Sequence, residues 1–163
     1  MRPFALLVTL ATLTACSTGG TTDPMPDLLP VTADLRDAPA TATVDARAVR
    51  IEAYAWRDFM PGPDTPRDGQ PLIVSARVMA GDGGVLPAGL VPETVWVVRG
   101  DRAWRAAATE VRPSPDARSI EVVVRDGPKW GPDAVVDVVV AFRDGAGTRR
   151  VVRAAGVTIV RTS

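Results

Sequence analysis

The chain has 163 residues, room for one domain and too few for two well-buried ones. Its 19 Lys+Arg cancel its 19 Asp+Glu, so no global field favours nucleic acid or an anionic surface. With no His and a single Cys, these residues cannot form a Ser-His-Asp triad, a Cys-His pair or a His- or multi-Cys-ligated metal site.

In chain order, Met1-Arg2-Pro3 precedes an apolar run over 4–15, and Cys16 follows. One positive charge before about a dozen apolar residues is the secretory signal-peptide pattern. The run is shorter than the roughly 20 residues a spanning helix needs. Leu13-Thr14-Ala15-Cys16 resembles the lipobox of bacterial lipoproteins, an aliphatic residue and two small ones before a Cys. The resemblance covers the leader, 1–15. It implies lipid transfer to the Cys16 thiol, cleavage before it, and acylation of the new terminus by chains such as palmitate. The membrane is then a partner through Cys16. The location implied is the cell envelope, at the outer membrane where the cell has two membranes, because Ser17 rather than Asp follows. The alternative is an ordinary secreted protein whose Cys falls there by chance. Lipidation would use the only thiol, leaving the mature chain without a disulfide.

Residues 16–45 read as the lipidated Cys and a flexible tether rich in Pro, Thr and Asp. Pro24, Pro26, Pro30 and Pro39 interrupt it, and five Asp against Arg36 give 17–45 a net charge of −4. So little apolar surface does not offset the entropy of ordering the chain. A coil of this length reaches about 30 Å. Leu28-Leu29-Pro30-Val31 is its one apolar patch, able to dock on the domain that follows.

Residues 46–163, with net charge +3, read as strands throughout. In 119–125, Ile120, Val122 and Val124 alternate with Ser119, Glu121 and Arg125. In 134–143, Val136, Val138, Val140 and Phe142 alternate with Asp137, Ala141 and Arg143. Period-2 patterns of this kind mark strands with one buried face. Less regular strands are predicted at 46–59, 71–80, 94–99, 103–111 and 148–161, the last kinked or bulged near Gly156. Gly, Pro and Asp turns separate them, at 81–84, 112–116 and 143–147. The expectation is an all-β fold, an antiparallel β-sandwich of about seven strands. It is similar to immunoglobulin and fibronectin-III domains in strand count and spacing, without the Cys-Trp-Cys signature or a tyrosine corner. Residues 56–61 and 125–130 are also loosely similar to small bacterial lipoprotein domains, a likeness that brings no activity with it.

Arg99-Gly100-Asp101 matches an integrin-ligand tripeptide, but Arg-Asp-Gly recurs at 67–69, 125–127 and 143–145, so turn chemistry explains both. Ser75, Ser114 and Ser119 lack a His partner, and Glu52, Glu93, Glu110 and Glu121 read as solvent-facing charge rather than acid–base pairs. Asp64, Asp68, Asp101, Asp126 and Asp133 would gather at one end, but Arg67, Arg99, Arg102 and Lys129 gather with them and neutralise a calcium cage. No metal, cofactor or enzymatic activity is expected.

If successive strands reverse direction, the loops at 60–70, 99–103 and 126–133 share an end. Phe59, Met60, Arg99, Asp101, Lys129 and Trp130 are then the candidate binding surface, because Trp and Arg on Pro-stiffened supports make good contact anchors. Trp130 lies between two Gly-Pro pairs, where it either plugs the core or anchors a partner. The expected function is a lipid-anchored, non-enzymatic module contacting an envelope protein or glycan, with no role in nucleic-acid binding. The runner-up is an accessory lipoprotein that holds a small apolar or lipid ligand between its sheets. A filled core favours the first and a large cavity the second.

Overall fold

Alternation of apolar and polar residues sets where strands form. In the computed structural model, which describes residues 26–62 and 65–163, the alternating segments are all strands. The elements are β1 (Leu28–Pro30), a one-turn helix α1 (Ala33–Arg36), β2 (Thr41–Val44), β3 (Arg47–Asp58), β4 (Leu72–Ala80), β5 (Val91–Arg99), β6 (Arg102–Ala107), β7 (Glu110–Pro113), β8 (Ser119–Gly127), β9 (Val135–Arg143) and β10 (Arg149–Thr162). Cys16 and Asp64 lie outside the described residues.

The strands form one curled, ten-stranded sheet in the order β1-β6-β5-β9-β10-β3-β4-β8-β7, with β2 also on β3. Curling turns the inward faces of its two halves toward each other. Val95, Val97, Val138, Val140 and Phe142 from one half join Val74, Ala76, Val78, Val122 and Val124 from the other in a single core. Each fully buried side chain of this kind contributes about 1.5–3 kcal/mol relative to exposure. β10 connects the halves. Its first part is antiparallel to β9, its register shifts between Ala154 and Val157, and residues 159–162 run parallel to 55–58 of β3. Gly156 sits at that break with φ +71°, where a side chain would be strained. The expected kink is there.

The all-β expectation holds, but the count of seven strands does not. Residues 103–111, read as one strand, divide at Ala108 and Thr109. β6 pairs with β5 in one half, and β7 pairs with β8 in the other. A chain that changes halves must break its ladder.

The tether boundary at residue 45 is also corrected. It falls inside a two-residue hairpin turn, Asp45 and Ala46 with φ +47° and +61°, that joins β2 to β3. Residues 28–44 are part of the fold. β1 pairs with the β6 edge, Leu28 opposite Trp104 and Pro30 opposite Arg102. The chain then crosses the outward face of β5, β9 and β10, and the Arg153 amide donates to the Pro39 carbonyl at 2.8 Å. Beneath this strap Val139 and Ala141, both on the outward side of β9, are 0% exposed. An apolar strap on an apolar strip satisfies both, which outweighs the entropy that composition alone suggested would keep 28–44 unfolded.

Candidate functional site

β3 ends, β4 begins, β5 turns into β6 and β8 leads to β9 at one end of the sheet. The residues that follow Asp58, the Arg99–Arg102 turn and the segment 128–134 therefore meet. Their meeting is organised by Arg57. Alternation along β3 sends Tyr54 and Trp56 outward and Ala55 and Arg57 inward. Arg57 is 3% exposed. A buried guanidinium must find acceptors, and here they are backbone carbonyls of two loops. Nε donates to Gln70 at 2.8 Å, Nη2 to Asp68 and to Gly69 at 3.3 Å, and Nη1 to Lys129 at 3.2 Å and Trp130 at 3.4 Å. Burial lowers its pKa and the nearby Asp68 opposes that shift, yet a guanidinium stays charged at any working pH.

Around this clasp the six sequence-predicted residues take different roles. Phe59 is half-buried, with the Arg57 and Arg161 guanidinium carbons 5.1 and 4.4 Å from its ring centroid. Gly69, at φ +80°, lies against the same ring; a Cβ there would stand 2.6 Å from Phe59 Cε1. Phe59 is thus a packing residue. Trp130 is half-buried against the core, and Arg99 covers it at 6.0 Å from the ring centroid. Lys129 Nζ lies 3.0 Å from Asp68 Oδ1. That hydrogen bond holds the Asp68 carboxyl below its usual range against some burial cost, helped by the charges of Lys129 and Arg57. Met60 is 57% exposed, and Arg99 and Asp101 are exposed at the same end of the fold. The Asp101 carbonyl also accepts the Val31 amide at 3.0 Å, so the strap is fastened to the same turn.

Among the described residues, no group of three or more acidic or Cys side chains is placed to hold a metal ion. Along the strap, Leu29, Leu35, Trp96, Arg149 and Val151 border a groove of about 230 Å³ on the outer surface. The space between the two halves is occupied by Phe142, Leu72, Ile159 and valines such as Val74, Val97 and Val138, all 0% exposed.

Sequence reasoning missed Arg57 and the outward pair Tyr54 and Trp56. The signal was available in the β3 alternation, where position 57 falls on the apolar side. Comparison with family profiles, curated proteins and solved structures finds no significant match to this chain.

Proposed function

We propose that this chain is a lipid-anchored cell-envelope protein whose β-domain is a non-enzymatic contact module. The module would engage an envelope protein or glycan through the end that carries Met60, Arg99 and Asp101. The observation that carries the reading is the Arg57 clasp. One buried side chain holds two loops to each other through backbone carbonyls, and Arg99 of the neighbouring turn lies over the Trp130 ring of one of them, so Met60 and Arg99 are presented on a stiffened support with little entropy left to lose on contact. Half-buried Phe59 and Trp130 support that surface, and exposed Lys129 pairs with Asp68 at its rim. The filled interior favours contact over an apolar ligand held between the halves.

The finer fold reading is an immunoglobulin-like sandwich. Its support is strand order: β7-β8-β4-β3 and β6-β5-β9-β10 follow the D-E-B-A and C′-C-F-G orders of such domains. Anchorage rests on Leu13 to Cys16 alone. From Cys16 to Leu28 the chain spans at most about 40 Å even fully extended, which keeps the module close to the membrane.

Two experiments test this reading. Cys16→Ser should move the protein from the membrane to the soluble fraction; unchanged detergent partitioning contradicts the anchor. A photo-crosslinking residue placed at Met60 or Asp101 in cells should yield discrete adducts, and one at exposed Ala146 on the opposite end should not. Equal adducts at both ends, or none at either, contradict the contact surface.

A further inference from the structure

The outer face of β3, β4, β8 and β7 is arranged in rows that run across the strands. Register sets Glu52, Arg77, Glu121 and Arg112 side by side, so charge alternates in sign along one row. The next row toward the loop end is Tyr54, Ser75, Val123 and Glu110, and Trp56 and Ile73 begin the one after it. Tyr54 and Trp56 point the same way because they are two apart on a strand. Their ring centroids lie 5.4 Å apart with planes at 31°. Tyr54 is 52% exposed, whereas Val123, two strands away in the same row, is 5% exposed. Past Trp56, Asp58, Ile73, Arg125 and Asp126 wall a shallow pocket of about 220 Å³.

This is an apolar shelf with a polar rail. The rail is internally matched: Ser75 Oγ donates to Glu121 at 2.7 Å, and Arg50 and Arg125 lie 2.8 Å from Glu52 and Glu110. Opposite charges in register leave no field to draw in a charged polymer. A protein anchor wants a pocket that desolvates it, but neither ring is among the residues that wall the pocket here. A pyranose matches both parts. Its C–H face packs on an aromatic ring, and its ring hydroxyls, each donor and acceptor, meet carboxylates and guanidiniums in turn. Neighbouring rings suit consecutive sugars of a linear chain.

We propose that this face binds an uncharged pyranose glycan, with Tyr54 and Trp56 against consecutive sugars and Glu52, Arg77 and Glu121 taking their hydroxyls. The surface is separate from the loop end and does not rest on that reading.

The test is calorimetric titration of the full-length protein, in a detergent that is not a glycoside, with linear oligosaccharides of β-linked glucose and of β-linked N-acetylglucosamine. At least one should bind. Tyr54→Ala and Trp56→Ala should each weaken it by about tenfold, as loss of an aromatic contact predicts. Tyr54→Phe keeps the ring and should stay within about twofold. Arg99→Ala, at the loop end, should leave affinity unchanged. The inference is overturned if neither oligosaccharide binds, or if binding survives both alanine variants. It is also overturned if sedimentation shows a dimer that Tyr54→Ala dissociates, which would make a second copy the occupant. Glycan binding lost in Arg99→Ala but kept in Tyr54→Ala would overturn this inference and leave the contact reading standing.

Discussion

The two ends of the sheet are held by opposite chemistry. At the turn end, anionic and hydroxyl side chains accept backbone N–H groups within their own turn. Asp144 takes the amides of Ala146 and Thr148 at 3.1 and 2.8 Å, Ser114 Oγ those of Arg118 and Ser119 at 3.1 and 3.0 Å, and Asp82 that of Gly84 at 2.9 Å. At the loop end, a cationic side chain donates to carbonyls of two segments 61 residues apart, the separation of Asp68 from Lys129. Each turn is capped by its own side chain and tied to its neighbour by separate bonds, Leu86 N–H to the Ala117 carbonyl at 2.9 Å and Arg118 to the Gly83 carbonyl at 3.4 Å; the loops are closed on each other by one buried side chain. A local cap can be lost singly, whereas losing the clasp releases both loops at once.

The largest expected effect follows from that difference. Arg57→Ala removes a buried charge that donates to one buried and four part-buried carbonyls and should cost about 3–5 kcal/mol in urea unfolding. Arg57→Lys should recover little of it, since one compact ammonium cannot span the carbonyls that the guanidinium fork reaches. A cost near that of an exposed substitution would remove the contrast between the ends.

Acid should weaken both ends, through Asp144 and Asp116 at the turns and through Asp68 at the loops. Asp144 is 7% exposed; burial works against its ionisation, but the Thr148 amide, the Arg150 guanidinium and the Ala146 amide outweigh it, so its pKa lies below the usual value. A depressed folded pKa contributes stability that is complete above the unfolded Asp value of about 4 and lost as pH falls from there toward the folded value. Asp116, held low by Ser114 and the Arg118 amide, adds in the same sense. At the loop end the Arg57 bonds to carbonyls do not titrate, but Asp68 beside them, held low by its hydrogen bond to Lys129, adds in the same sense. Melting temperature should therefore fall with pH through this window, and Asp144→Asn should lower it at neutral pH while flattening the fall. An unchanged acid limb in Asp144→Asn would show that the turn cap carries no linkage.

The β2–β3 turn offers a smaller effect of opposite sign. Ala46 holds φ +61°, which costs an L-residue about 1–2 kcal/mol and glycine almost nothing. Ala46→Gly should thus stabilise the domain, by about 1 kcal/mol after glycine's own entropy in the unfolded chain is counted. Ser114→Ala, which removes one local cap, should be the mildest loss, about 1 kcal/mol or less.

The turn end was readable from sequence because its chemistry is local: Asp-Gly and Pro-Ser-Pro-Asp announce turns where they stand. Strands were readable because one face of each is buried, which leaves a period of two in Ile120, Val122 and Val124. The strap was not, because residues 28–44 carry no period of their own and gain order only from the surface they cover. That surface did leave a trace. Residues 135–142 are apolar on both faces, broken only by Asp137, which signals a strand covered on both sides. Arg57 left a weaker one, a charge on the inward side of β3. Which carbonyls satisfy it depends on loops far along the chain, and no local pattern encodes that. Of the six expected surface residues, Met60, Arg99, Asp101 and Lys129 are reachable, whereas the enclosure of Phe59 depends on Arg161 and Gly69, which spacing does not reveal.

Hydrogen exchange on Arg57→Ala against the unaltered protein tests the clasp most directly, because it reads each segment separately. Amides at 65–71 and 128–134 should lose protection together, while those at 81–84 and 143–149 keep theirs. Loss confined to one of the two loops, or none in either, would contradict the claim that a single buried arginine holds this end as one unit.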